Sequence, residues 1–209
     1  MGRIQQINLK KMKKLINSLV FITLFVFSAN SFAYNSDPKI FIQELVDDAI
    51  ETLSNKNISI TDKAKKIEVI ALENVDISAI SMYTLGGIRK TLHQDDLEKY
   101  KELFKKYFLK SLTSRLTDYS NNKFEVIGAD QKSETTTIVT SKIVSSSQPE
   151  LKIEWRVYIK DPDKPLIRDL RVEGLSIART QKEEFASILR SNNNDINVLF
   201  SKLEEFINN

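Results

Sequence analysis

The chain contains no cysteine and a single histidine in 209 residues. Without cysteine the fold cannot rest on disulfides, even in an oxidising compartment, and no thiol nucleophile exists. Metal clusters of the usual kind need His or Cys at ligand spacing, so no metal site is expected. A Ser-His-Asp arrangement would have only His93 to use. That residue stands where a helix is expected to begin, an ordinary setting for an exposed imidazole. Glycine is scarce too, and Gly86-Gly87 matches neither G-x-G-x-x-G nor a P-loop, which removes phosphate-cradling loops. The carboxylate pairs Asp47-Asp48, Asp95-Asp96, Glu183-Glu184 and Glu204-Glu205 fall on expected helices among polar neighbours. Solvated faces account for them. A carboxylate-only hydrolase stays open in principle, but nothing else in the chain points to one. No catalytic residue is assigned, and the chain is not expected to be an enzyme.

Acidic residues are absent before Asp37, while Arg3, Lys10, Lys11, Lys13 and Lys14 make a basic start. A mostly apolar run from Leu15 to Phe27 follows, and Ser31-Phe32-Ala33 places small residues at the −3 and −1 positions of a peptidase site. This three-part pattern is that of a secretory signal peptide cleaved after Ala33. The competing reading, a short uncleaved anchor, is weakened by Asn17, Ser18 and Thr23, which leave the run short of the ~20 residues needed to span a bilayer. Residues 1–33 are therefore expected to be a signal peptide and 34–209 a single domain. The full chain carries a net charge of +3, and loss of five cations and no anions with the signal leaves −2. No basic excess remains to neutralise phosphates, so nucleic acid is not an expected partner. No later apolar run has spanning length.

The first half of the exported part has helical periodicity. Asp37-Pro38 supplies a cap and a first-turn proline, and Phe41, Leu45, Val46, Ala49, Ile50 and Leu53 share one face. Thr61 is the expected cap of a second helix, with Ala64, Ile67, Ala71 and Val75 inward. A third segment runs from about Ile77 to Lys90 and breaks near Gly86-Gly87. Thr91 and Gln94 have the spacing of a capping box, opening a long helix to about Tyr119. Its inner stripe is Leu97, Tyr100, Phe104, Tyr107, Phe108, Ser111, Leu112, Leu116 and Tyr119. From Asn121 the period shifts to two. Strands are expected from Phe124, over Thr135 to Val144, over Leu151 to Ile159 and over Leu166 to Val172, with a turn at Asp161–Pro165. Two helices close the chain, the second capped by Asp195. Helices, a four-strand meander and helices again imply an α+β domain, with the long aromatic helix as the expected cover of the sheet. That aromatic stripe first suits an ordinary solid core, and a sharper reading makes it one wall of an apolar cavity. Periodicity does not separate the two.

The stretch Ile167-Arg168-Asp169-Leu170-Arg171-Val172-Glu173-Gly174-Leu175-Ser176-Ile177, followed by Phe185-Ala186-Ser187-Ile188-Leu189, resembles the MlaC family, also called the toluene-tolerance family. Asp76-Ile77, Met82, Leu85-Gly86, Arg89, the Thr91–Gln94 region, Phe104, Tyr107, Phe108 and Ile153 to Val157 occur in the family's order, and Asp195 to Leu203 resembles its closing helix. The chain departs from the family pattern at Gln181-Lys182, where Tyr-Arg is common, at Ile167-Arg168, where an aromatic pair is common, and at Asn192-Asn193-Asn194, in place of a Gly-rich turn.

The resemblance implies an NTF2-like α+β fold: a twisted antiparallel sheet of about four strands covered by helices, with an N-terminal helical portion. It implies a monomeric periplasmic phospholipid carrier of Gram-negative bacteria, maintaining outer-membrane lipid asymmetry. Its partners would be an inner-membrane ABC transporter complex and an outer-membrane lipoprotein–porin complex. No cofactor is implied; the bound phospholipid is cargo. On the matching positions, Leu85, Phe104, Phe108, Leu112, Trp155, Val157, Leu170, Val172 and Ile177 would line the cavity, and Gly174 would permit a turn after the last strand. Glu173 and Arg156 are either a structural pair or neighbours of the pocket mouth. The alternatives are a small exported enzyme on the same type of fold and an exported interaction module with a solid core.

Overall fold

The computed structural model describes residues 34–115, 123–144 and 149–209. The expected signal peptide, the last turn of the long helix, the expected loop tip at 121–122 and all but the last residue of the expected tip at 145–149 lie outside these residues. Helix α1 spans Pro38–Ser54, and the Asp37 carboxylate accepts the N–H groups of Lys39 and Ile40 at 2.9 and 3.2 Å. This satisfies two donors that the first turn leaves free. Helix α2 spans Ile60–Asn74 and is capped by Ser59, not by Thr61. The reason is reciprocal bonding. The Ser59 hydroxyl accepts the Asp62 N–H at 3.1 Å and donates to the Asp62 carboxylate at 2.7 Å.

Helix α3 covers Ile77–Leu85 and passes into a 3-10 turn over Gly86–Lys90. Gly86 makes the break possible at φ +65°, a region that side chains with a Cβ rarely enter. Helix α4 spans Gln94–Arg115, about 33 Å at 1.5 Å per residue. The expected capping box does not form. Thr91 lies three residues before the helix, and its hydroxyl donates to the Ile88 carbonyl at 2.9 Å, which closes the preceding 3-10 turn instead.

Five strands follow in the order β1-β2-β3-β4-β5, each antiparallel to its neighbour: β1 Lys123–Ser133, β2 Thr136–Val144, β3 Leu151–Tyr158, β4 Leu166–Val172 and β5 Leu175–Ser176. The fifth, short strand is additional to the expected meander. It arises because Glu173 (φ 50°) and Gly174 (φ 81°) both adopt positive φ between the paired residues Val172 and Leu175. That is the backbone of a two-residue hairpin turn of the primed type. Helix α5, Ile177–Arg190, and helix α6, Ile196–Asn208, complete the chain, with Ser176 and Asp195 as their caps.

The packing differs from expectation in one respect. Helix α4 packs chiefly on α6 and α3, whereas α1 is the helix laid across β1 and β2. A helical stripe shows that a face is buried without specifying against what. The result is two apolar cores. A helical core gathers Leu85, Tyr100, Leu103 and Phe104 with Phe185, Leu189, Leu199, Phe200 and Leu203. A sheet core sets Phe41, Ile42 and Leu45 of α1 against Val139, Val157 and Ile167. Val75 packs against both, and it forms a parallel bridge with Ile167.

Candidate functional site

Side chains opposite one another across paired strands point to the same side of a sheet. The registers Ser141↔Ile153↔Val172, Val139↔Trp155↔Leu170 and Thr137↔Val157↔Ile167 therefore define one face, continued on β1 by Phe124 and Val126. Where α1 lies on this face, Val139 and Val157 are fully covered. Elsewhere on the face the cover is uneven, with Ser141 and Ile153 buried. Trp155 is half-buried at the margin of the sheet core, and Leu170 and Val172, also half-buried, lie outside both cores. Trp155 is fixed in place: its indole N–H donates to Ser141 Oγ at 2.8 Å, and Phe124 meets its ring edge-on with centroids 6.2 Å apart.

The nine residues expected at the site divide into three groups. Leu85, Phe104 and Val157 are buried inside the two cores. Phe108, Leu112, Trp155, Leu170 and Val172 are half-buried, with Phe108 at the edge of the helical core and Leu112 outside both. Ile177 is 49% exposed at the start of α5, beside the more exposed Leu175. The structure thus joins Trp155, Leu170 and Val172 on one apolar wall, and it places Leu85 and Phe104 in a different cluster. Sequence reading passed over Ile153, Phe124 and Ser141 as site residues. Ile153 and Phe124 carried a usable signal, since both stand in phase with Trp155 along alternating strands. Ser141 carried none.

The polar groups around this wall are committed to structure. Arg168 donates from Nε to the Asp76 carboxylate at 2.8 Å and stacks its guanidinium 3.2 Å from the Tyr158 ring centroid. Asp76 in turn caps α3, accepting the Ala79 N–H, while its own N–H donates to the Ile167 carbonyl. Asp169 accepts the Ala178 N–H and the Ser176 hydroxyl, anchoring the start of α5 to β4. The Glu173 carboxylate accepts the Lys152 N–H at 2.6 Å, which makes it a brace between β3 and the turn. Arg156 is exposed on the opposite sheet face, so these two do not form the pair that the sequence left open. On that outer face Glu154 joins Lys152 and Arg171.

Two phenols are held neutral. Burial pushes Tyr100 well above the ordinary phenol range, outweighing the opposing hydrogen bond with Thr84. Burial also raises Tyr34, aided by its hydrogen bond to the Asp48 carboxylate at 2.8 Å. Among the described residues no buried side-chain nitrogen or oxygen lacks a partner. None of those residues forms a group of three or more His, Asp or Glu side chains able to hold a metal ion, and no helix among the described residues is long and apolar enough to cross a membrane. His93 is exposed. The arrangement offers an apolar wall with structural polar groups behind it, a chemistry of binding apolar matter.

A family model described as MlaC protein matches residues 43–205. No curated protein matches the chain. Among solved structures, a phospholipid-binding protein from Ralstonia solanacearum, in complex with a phospholipid, superimposes with a TM-score of 0.68. The alignment covers 83% of this chain and 97% of that one at 16% sequence identity. The likeness is one of fold.

Proposed function

The chain belongs to the MlaC family, and on that premise we propose that it is a phospholipid carrier whose acyl chains lie against the half-buried sheet face. The observation that carries this reading is the separation of the apolar interior into two cores, with Trp155, Leu170 and Val172 left as an incompletely covered wall. Phe108 and Leu112 extend the apolar lining from α4, Ile177 forms part of the rim, and Leu85, Phe104 and Val157 back the site from within the cores. The phospholipid held by the Ralstonia solanacearum protein of similar fold supports the same cargo class.

Energetics explain why such a carrier is needed. Each methylene withdrawn from an apolar environment costs about 0.8 kcal/mol, so two chains with ~30 methylenes lose some 24 kcal/mol on entering water. Transfer through water alone is then prohibitively slow. A carrier must return most of that energy in an apolar site while holding lipid loosely enough for the membrane machinery to reverse it. No bond is made or broken, so the task is binding and transport rather than catalysis, with lipid as cargo and no cofactor.

In this reading the signal peptide is removed after Ala33 and residues 34–209 work in the periplasm as a monomer. The domain moves phospholipid between an outer-membrane lipoprotein–porin complex and an inner-membrane ABC transporter, sustaining outer-membrane lipid asymmetry. The test is mass spectrometry of lipids extracted from protein expressed as the full chain and purified without detergent. Roughly one or more phospholipids per protein is the expected result, and lipid-free protein after gentle purification overturns the reading. Intact mass in the same experiment should correspond to a chain beginning at Tyr34; a mass beginning at Met1 overturns the export step.

A further inference from the structure

We infer that Ser141 is a positioning residue for the lipid site: it takes up the one polar hydrogen of Trp155 and so holds the indole as a dry apolar wall. This rests on the carrier reading and deepens it. Trp155 is the only tryptophan in the chain, and it stands on the apolar sheet face between register partners Val139 and Leu170. An indole N–H is a donor that acyl chains cannot satisfy. Left free on such a wall, it would draw water into the site or turn the ring toward solvent.

Ser141 prevents both. It is fully buried, sits diagonally across the β2–β3 pair, and accepts the Nε1–H at 2.8 Å. Its own hydroxyl hydrogen points back to the Ile153 carbonyl at 3.4 Å on the neighbouring strand. The bond therefore runs from ring to serine to backbone and ends inside the sheet. Phe124 also meets the indole, at 85° between ring planes. Two contacts, one polar and one aromatic, thus fix the ring and leave its remaining surface to the ligand side.

Ser141 stands mid-strand on a face that it shares with Thr137, Val139, Ile153 and Val157, and packing alone does not call for its hydroxyl. Its partner supplies the reason. An alanine at this position would fill nearly the same volume and leave the indole unsatisfied. The role belongs to the pair and not to Ser141 alone, which gives the experiment its form.

The test uses four full-chain proteins: wild type, Ser141→Ala, Trp155→Phe and the double variant. Each is loaded from phosphatidylglycerol vesicles, and retention is followed as the half-time of lipid loss to empty vesicles. In the two proteins that retain Trp155, vesicles with chains brominated near their middle also report quenching of the tryptophan. The expected result for wild type is strong quenching. Ser141→Ala should shorten retention by about tenfold, the equivalent of one unsatisfied buried donor, with red-shifted emission and weaker quenching. Trp155→Phe removes the donor, so adding Ser141→Ala to it should change retention less than twofold. An equal tenfold loss in both backgrounds means that Ser141 acts by packing alone and overturns the inference. Wild-type protein that holds lipid while Trp155 stays unquenched overturns it as well, leaving the carrier reading intact. Wild-type protein that holds no lipid overturns both.

Discussion

The helical core and the sheet core use much the same apolar side chains, and they close to different degrees. In the helical core Tyr100, Phe104 and Phe185 meet ring to ring at centroid distances of 5.9 to 6.4 Å. Leu199, Phe200 and Leu203 are at most 2% exposed beside them. In the sheet core the buried helical side chains come from α1, while α3 and α5 reach β4, and Trp155, Leu170 and Val172 on the same face are only half-buried. Helices α3 to α6 pack largely on one another, with Phe108 and Leu112 of α4 left half-buried. The sheet keeps an unfilled claim on apolar contact, and that difference locates the lipid site better than composition does.

The strongest way to sharpen this contrast is to damage the closed core. Phe185→Ala should lower unfolding free energy by about 4 kcal/mol, the usual cost of deleting a buried ring. Chemical denaturation reads the loss directly, while the molecules that remain folded should still carry phospholipid. Lipid loss in proportion to destabilisation would erase the distinction between the two cores. Next in size is the joint between them. Asp76→Ala removes a helix cap and the acceptor of Arg168, and should cost about 2 kcal/mol in the same assay.

A smaller effect compares the two regions through their tyrosines. Both Tyr34 and Tyr100 have phenol pKa values raised in the folded state, chiefly by burial. Their contribution to stability is therefore complete below the unfolded phenol value of about 10 and is lost as pH rises beyond it. Tyr100→Phe should cost about 1 kcal/mol at pH 7 through its bond to Thr84. It should also flatten the alkaline decline that denaturation curves between pH 9 and 11.5 would show for wild type. An unchanged decline in both Tyr100→Phe and Tyr34→Phe would mean that other groups govern it.

The smallest stability change is expected at the open wall. Leu170→Trp should shift unfolding by less than ~1 kcal/mol, since the side chain is only half-buried, yet it should abolish phospholipid co-purification by occupying the site. Val157→Trp, at a position with no exposed surface, should instead fail to fold stably. Identical behaviour of these two variants would break the comparison outright.

Much of this architecture was legible in the residue pattern. The alternation of Leu151, Ile153, Trp155, Val157 and Ile159 marked β3, and Asp37-Pro38 and Asp195 marked helix starts, because each rests on contacts only a few residues apart. The helix that covers the sheet was not legible, since that choice is made between segments some 80 residues apart, as the Gln43 contact to the β1 backbone illustrates. The cap of α2 was misplaced because Ser59 and Thr61 compete within one turn, and the reciprocal bond with Asp62 decides between them. For the site, periodicity marked Trp155 as apolar and alternating, and the family resemblance added Leu170. Periodicity held no information on degree of cover, which separates Val157 from Leu170. Ser141 was invisible for the same reason: a strand serine reads as outward until the indole that needs it is placed.

The bond from Arg168 to Asp76 has a bearing on the order in which the chain folds. Strands β1 to β4 pair by successive hairpins, so each step closes a short loop and can begin as soon as its residues exist. The Val75–Ile167 bridge and the Asp76–Arg168 pair join segments 92 residues apart, and nothing between them is gained until the meander is complete. Docking of the helical half should then be the last event of folding and the first to be undone. Asp76→Ala should accordingly speed unfolding while leaving the refolding rate within about twofold of wild type. A refolding rate that falls in proportion to the lost stability would place this joint in the nucleus instead.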